Sequence, residues 1–249
     1  MSYSHLARLY DSFAYDFDYE KWTDKYLSLM LSKDPGMREI CDCGCGTGSI
    51  ALPLVRRGYK VTGVDLSEEM LLEAQNKARA AGMFIPFVHM DMRRLRLPHR
   101  VDAVMCACDG VNYLHSEADV KAFFTSTLSC LKPGGVLAFD ISNLLKLSDN
   151  GLYAEDMESQ TYLWQNSFDE EKRLLTMQLC FFERCADGRY EKFTETHVQK
   201  AHKLEEIKTL LEAAGFTDIV VEGSDDGEGQ APFLKRVFFA AKAPLEKGK

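Results

Sequence analysis

The chain has 249 residues, of which 46% are hydrophobic and 27% charged, and its formal net charge is −8. This length buries a sizeable core, and the balance is that of an ordinary globular protein rather than a disordered or fibrous one. The densest basic patch is Arg93-Arg94-Leu95-Arg96, too small a face to neutralise a phosphate backbone, so long nucleic acid is not expected as a partner.

Residues 1–36 read as an N-terminal helical arm. The first twenty or so positions interleave tyrosines and phenylalanines, Tyr10, Phe13, Phe17 and Tyr19 among them, with acids. The stretch is too aromatic for a disordered tail. It suits either a packing arm over one sheet face or a lid over a pocket. It carries no secretory pattern and no long apolar span, which makes a cytoplasmic, membrane-free protein the expectation. From Tyr19 to Lys33 the residues Trp22, Tyr26, Leu29 and Met30 recur near helical spacing. Asp34-Pro35-Gly36 stops that helix.

A strand–helix rhythm follows. Glu39 to Cys43 is a strand, and Gly44, Gly46 and Gly48 stand at alternate positions after it. Such glycines permit a tight turn and close approach of a ligand, and the following helix start, Ser49 to Arg57, offers free N–H groups. Lys60 to Val64 is the second strand, closed by Asp65. Ser67-Glu68-Glu69 begins a helix that reaches Ala81, with a capping serine and acids in its first turn. Ile85 to Met90 is the third strand, followed by Asp91-Met92. Val101 to Ala107 is the fourth. Glu117 to Leu131 is helical, Lys132-Pro133-Gly134-Gly135 is a turn, and Val136 to Ile141 is the fifth strand. This alternation predicts an α/β fold, a Rossmann-like, seven-stranded and mostly parallel sheet with helices on both faces.

The rhythm breaks after Asn143. Period-two patterning from Thr161 to Val198 predicts an antiparallel β insertion over residues 148–200, after the fifth strand. Its clearest signal is Ala186-Asp187-Gly188 between two alternating runs, a hairpin turn. Lys203 to Ala214 returns to helix. Thr217 to Glu222 and Phe233 to Ala241 complete the sheet, with Gly223 to Gly229 read as a mobile loop. The chain is one domain over 1–249, with a core over 37–142 and its completion over 201–249. The insertion serves equally as a roof over a pocket or as a dimer contact.

The eight cysteines include Cys41-x-Cys43-x-Cys45 and Cys106-x-Cys108. Zinc pairs prefer two or more intervening residues, so these are read as reduced packing residues and no metal is expected.

Gly46-Thr47-Gly48-Ser49-Ile50-Ala51 also satisfies a dinucleotide fingerprint, with Asp65 about 20 residues beyond the turn. A nicotinamide-dependent oxidoreductase is therefore one reading, and a non-catalytic cofactor-binding module another. Ile40 to Gly48 resembles the first motif of class I S-adenosylmethionine-dependent methyltransferases. Val61-Thr62-Gly63-Val64-Asp65-Leu66-Ser67 resembles their second motif, and His89-Met90-Asp91-Met92 their third-strand acid. Leu131-Lys132-Pro133-Gly134-Gly135-Val136-Leu137 resembles the turn before their fifth strand. Tyr10-Asp11-Ser12-Phe13, Asp18 to Trp22 and Asp109 to Leu114 are similar to a small-molecule branch that includes sugar-amine N,N-dimethyltransferases and glycine N-methyltransferase-like proteins.

The resemblance implies S-adenosyl-L-methionine as cofactor and a small-molecule acceptor, methylated on nitrogen or oxygen by direct in-line transfer. It assigns the cofactor to Tyr10, Asp42, Gly44, Cys45, Gly46, Gly48, Asp65, Leu66, Asp91, Met92 and Cys108. Asp65 would accept from ribose hydroxyls, and Leu66 would pack on the adenine. Asp91 would accept from the adenine amino group beside the Met92 N–H. After the fourth strand, Cys106-Ala107-Cys108-Asp109 replaces the Asn/Asp-Pro-Pro-aromatic signature of amide and base methylation. An amine or hydroxyl acceptor can need a base; Asp109, His115 and Tyr10 are the candidates, and His197 is a candidate pocket residue.

Overall fold

The computed structural model describes residues 6–13, 17–156, 160–223 and 235–245. The arm folds as two helices, α1 (Leu6–Phe13) and α2 (Tyr19–Lys33). The Asp18 carboxylate accepts the Lys21 N–H at 3.0 Å and so caps α2, using one of the free donors of a first turn. Trp22, Tyr26, Leu29 and Met30 are buried on one stripe, as their spacing predicts.

The alternating region gives β1 (Glu39–Cys43), α3 (Ala51–Arg56), β2 (Lys60–Asp65), α4 (Glu68–Ala80), β3 (Phe87–His89), β4 (Val101–Cys106), α5 (Glu117–Cys130) and β5 (Leu131–Ser142). A short helix, α6 (Leu144–Leu147), leads into β6 (Leu152–Asp156), β7 (Gln160–Asp169), β8 (Leu174–Arg184) and β9 (Tyr190–Lys200). The chain closes with α7 (Leu204–Ala214), β10 (Thr217–Glu222) and β11 (Arg236–Lys242). Among the described residues the strands form a seven-stranded sheet, β10-β11-β5-β4-β1-β2-β3, and a four-stranded sheet, β6-β7-β8-β9. In the larger sheet β1 to β5 run parallel, and β11 is antiparallel to both β5 and β10. The smaller sheet is antiparallel throughout.

The parallel strands are apolar because both faces are covered. One face packs on α5 and α7 through Phe123, Phe124, Phe139, Ile207 and Leu211. The other packs on α2 and α3 through Tyr26, Met30, Ile40, Leu54 and Phe238. One predicted turn is absent as such. Lys132 to Gly135 lies inside β5, where pairing passes from Val101↔Leu131 to Ala103↔Val136. The extra residues form a bulge, so the strand bends there instead of beginning afterwards.

The insertion is the predicted hairpin system, with the loop closed by Cys185 N–H to the Arg189 carbonyl at 2.7 Å. Its inward face carries Leu175, Met177, Leu179 and Phe181, packed with Tyr10, Leu147, Tyr162 and Trp164. Asn112, in the 3-10 turn Gly110–Tyr113, joins it to the larger sheet. Asn112 Nδ2 donates to the Lys200 carbonyl at 2.8 Å, and its Oδ1 accepts the Ser142 N–H at 2.9 Å. The predicted loop 223–229 lies outside the described residues apart from Gly223. No helix among the described residues is long and apolar enough to cross a membrane.

Candidate functional site

The site begins where β1 runs out. Gly44 and Gly46 have φ of +77° and +53°, the left-handed region that disfavours a Cβ. A Cβ on Gly46 would meet nothing within 4 Å, so this turn faces open space. The Gly46 N–H donates to Asp65 Oδ2 at 2.8 Å, and the Ser67 N–H donates to Asp65 Oδ1 at 2.9 Å. Asp65 thus ties the glycine turn to the end of β2. Burial raises its pKa, and these N–H groups partly offset that.

A cavity of about 430 Å³ opens at these strand ends. Gly44, Gly46, Asp65, Leu66, Asp91 and Met92 wall one side, and Tyr10, Cys108 and His115 the other. Most of the residues predicted for the site are therefore brought together. Leu66 is 56% exposed, an apolar face presented to the cleft. Asp91 caps the 3-10 turn Met92–Arg94. Its two oxygens also accept Arg93 Nε at 3.0 Å each, and Arg93 Nη1 reaches Asp119 at 2.8 Å. The Arg93 hydrogen bonds hold the Asp91 carboxyl below the usual range. This clamp was not foreseen, although an Asp-x-Arg spacing is its sequence signal.

Three predicted contacts lie off the cavity wall. Cys45 is buried, and its sulfur points at the sheet, 2.9 Å from where a Cβ on Gly63 would stand; its thiol is thus turned from the cleft. Gly48 is a packing position: a Cβ there would lie 3.2 Å from both Ala74 Cβ and Phe87 Cζ. Asp42 is 1% exposed, beneath the turn, and its Oδ2 has no hydrogen-bond partner among the described residues. Burial, and secondarily the Asp65 charge, push its pKa up to about 7.

The arm reaches this turn directly. Asp11 accepts the Thr47 hydroxyl at 2.8 Å and the Ser49 hydroxyl at 3.2 Å, and pairs with Lys77 of α4. α1 is thereby fastened onto the glycine turn, which brings Tyr10 over the cleft.

A second cavity, of about 720 Å³, lies between the strand ends and the inward face of the four-stranded sheet. Tyr10, Cys108 and Tyr113 line both cavities. Tyr162, Trp164, Met177 and His197 form the far wall, and Lys146, Arg236 and Asp109 the floor.

The floor corrects the base assignment of Asp109. Arg236 Nη1 stands 2.8 Å from Asp109 Oδ2 and 2.9 Å from Asp140 Oδ2. Lys146 Nζ is 2.8 Å from Asp109 Oδ2, and the Ser142 hydroxyl donates to it at 2.6 Å. Tyr26 donates to Asp140. Burial works against ionisation of Asp109, but Arg236 and Lys146 outweigh it and hold the carboxyl far below its ordinary value. Such a carboxylate is a poor proton acceptor; it pins the loop after β4, where Cys108 and Asp109 both have φ of +58°. Tyr10 is half-buried, and desolvation, chiefly, raises its pKa well above ordinary, so it serves as a hydroxyl and not a phenolate. His115 Nε2 is 2.9 Å from the Val198 carbonyl. A carbonyl only accepts, so that nitrogen carries the hydrogen.

The eight cysteines are free thiols, and burial raises those of Cys41, Cys43, Cys45, Cys106 and Cys108. Among the described residues no group of His, Cys, Asp and Glu is arranged to hold a metal ion.

A parallel sheet with an open glycine turn after β1, an acid at the end of β2 and another after β3 defines a Rossmann-like nucleotide-cofactor protein. A family profile described as a methyltransferase domain matches residues 40–135. A relative from Geobacillus sp. (strain WCH70), described only as a methyltransferase, is 33% identical over 247 residues, covering 97% of this chain and 100% of the relative. A crystal structure of an S-adenosylmethionine-dependent methyltransferase from Clostridium acetobutylicum is 30% identical, with a TM-score of 0.83 over 97% of this chain and 99% of that one. The dTDP-3-amino-3,4,6-trideoxy-alpha-D-glucopyranose N,N-dimethyltransferase of Streptomyces venezuelae is 24% identical over 215 residues, 85% of this chain and 89% of the relative. The chain belongs to the S-adenosylmethionine-dependent methyltransferases. The nicotinamide reading of the glycine pattern gives way to this one. The open turn, the exposed Leu66 and the unpartnered buried Asp42 oxygen fit that cofactor.

Proposed function

We propose that the acceptor is a small molecule bound in the 720 Å³ cavity and methylated on an amine nitrogen or a hydroxyl oxygen. The observation that carries this is the shared wall: Tyr10, Cys108 and Tyr113 border both cavities. A cavity of this size matches a metabolite-sized ligand, and Tyr162 and Trp164 give it aromatic walls. The similarity to a sugar-amine N,N-dimethyltransferase supports an amine acceptor.

The cofactor, when bound, supplies a methyl group already activated on a sulfonium. The chain then has to hold and orient the reactants in line. In this reading Gly44, Cys45 and Gly46 offer main chain to the amino-acid end, and the Asp42 oxygen takes the ammonium beneath them. Asp65 accepts from the ribose hydroxyls with the lone pairs that Gly46 and Ser67 leave over. Leu66 covers the adenine, whose amino group meets Asp91 beside Met92.

The test is a screen of small amines, amino sugars, hydroxylated metabolites and tRNA, read as S-adenosylhomocysteine release. Turnover on small amines or hydroxyls is expected. Turnover confined to tRNA would overturn the proposal.

A further inference from the structure

We propose that Tyr113, His197 and Glu195 form the relay that takes up the proton an acceptor loses on methylation. The proposal rests on the acceptor reading above and adds the residues that complete its chemistry.

Glu195 and His197 alternate on β9 and both point inward, opposite Leu179 and Met177 of β8. Their side chains are each 3% exposed. An acid and a histidine buried beside Leu179 and Met177 carry a desolvation cost that packing alone does not require, and Gln199 follows them on the same face. His197 Nε2 lies 3.3 Å from Glu195 Oε2, at ion-pair distance rather than in an aligned hydrogen bond. The third member comes from another element. Tyr113 ends the 3-10 turn after β4, and its hydroxyl lies 3.4 Å from His197 Nδ1. The two rings meet edge-on at 82°, with centroids 6.1 Å apart. Tyr113 walls both cavities, whereas His197 walls only the larger. The relay therefore starts at the junction where methyl donor and acceptor must meet and runs away from it into the insertion.

The donors and acceptors fall in one order. The relay takes Glu195 as an ionised carboxylate, which only accepts, and so puts the ring hydrogen on His197 Nε2, the nitrogen that faces it. Nδ1 then accepts from the Tyr113 hydroxyl, and the Tyr113 oxygen presents its lone pairs to the acceptor. In the transfer the acceptor lone pair forms the new bond to the methyl carbon, and the carbon–sulfur bond breaks with its electron pair remaining on sulfur. The acceptor proton passes to the Tyr113 oxygen while the Tyr113 proton passes to His197 Nδ1. The resulting imidazolium faces the Glu195 carboxylate. No other reagent is consumed.

Other charged or titratable groups facing this cavity are Tyr10 from α1, Tyr19 from α2, Cys108 and Asp109 from the loop after β4, Lys146 from α6, Asp149 from the loop after α6, Tyr153 from β6, Tyr162 from β7, and Lys235 and Arg236 at β11. Asp109, Lys146 and Arg236 are engaged with one another, and Asp149 accepts from Tyr153 and Asn166 at 2.8 and 2.7 Å.

The experiment compares the full chain with His197→Asn, Tyr113→Phe and Glu195→Gln on the acceptor panel, with S-adenosylhomocysteine affinity as the folding control. His197→Asn is expected to keep that affinity and its KM, to lose about 100-fold in kcat, and to lose the acid limb of the kcat–pH profile. Nitrogen NMR of the unmodified chain is expected to show the neutral His197 ring with its hydrogen on Nε2. A His197→Asn variant with unchanged kcat and pH profile, or an Nδ1–H ring in the unmodified chain, overturns the relay. An unmodified chain that binds the cofactor but turns over no small acceptor overturns the acceptor reading instead, and the relay with it.

Discussion

Asp11 of α1 and Lys77 of α4 form an ion pair across the glycine turn, and both also bind the hydroxyls of Thr47 and Ser49. The arm is thus attached to the loop whose main chain lines the cofactor cleft. Asp11→Ala removes the pair and both hydroxyl contacts. Partly exposed pairs and hydrogen bonds of this kind contribute about 1 kcal/mol together, so S-adenosylhomocysteine should bind about fivefold more weakly. Calorimetry checks the affinity, and amide exchange of residues 6–13 should accelerate in the same variant.

Gly46 and Gly48 stand two residues apart and should fail differently. A Cβ at Gly46 meets no atom within 4 Å and would project into the cleft proposed above for the cofactor. Gly46→Ala should therefore weaken cofactor binding by a factor of about 100 or more, at a stability cost of about 1 kcal/mol from its backbone angle. At Gly48 the Cβ meets Ala74 and Phe87 at 3.2 Å, with φ at +75°. Gly48→Ala should cost about 2 to 3 kcal/mol of stability by overpacking and strain. Urea titration beside calorimetry separates the two effects.

Asp42 gives the unliganded protein a pH signature. Its carboxyl is raised to about 7 when folded, against about 4 when unfolded. Well below pH 4 both states hold the proton and the group contributes nothing. Between about pH 4 and about pH 7 the unfolded chain ionises while the folded one keeps its proton, so stability falls as pH rises. The full loss, reached above pH 7, is of order 4 kcal/mol. Asp42→Asn should match the unmodified protein near pH 4 and exceed it at pH 8. Thermal unfolding across that range, without cofactor, reads the difference.

Arg236 balances two carboxylates, Asp109 and Asp140, neither of which reaches solvent freely. Arg236→Met leaves them facing each other without their shared cation. Loss of one partner from a buried network costs about 3–5 kcal/mol, and chemical denaturation should show it. Asp109→Asn is expected to lose stability while keeping the shape of the kcat–pH profile, since the carboxylate it replaces accepts no proton in the working range.

The parallel core was legible because burial on both faces makes β1, β4 and β5 predominantly apolar, and because Ser67, Gly58 and Gly82 punctuate the helices. The cleft residues were legible for a related reason: Gly44, Gly46, Asp65 and Asp91 all sit at strand ends that one sheet must bring together. What the sequence did not reveal depends on distance along the chain. Arg236 lies far from Asp109 and Asp140, and no local pattern couples them. The Asp11–Lys77 pair joins the arm to α4 across the whole first motif. Asp109 read as a free acid at a strand end, and only its tertiary partners show otherwise. Gly48 belonged to the glycine pattern, yet the tight packing of Ala74 and Phe87 accounts for it.

The four-stranded sheet pairs with no strand of the larger one among the described residues, and Asn112 is a principal tie between them. Its inward positions can consequently change identity without disturbing the register of β1 to β5. Divergence in what such a protein recognises can then accumulate on one replaceable panel, while the donor half of the molecule stays constant.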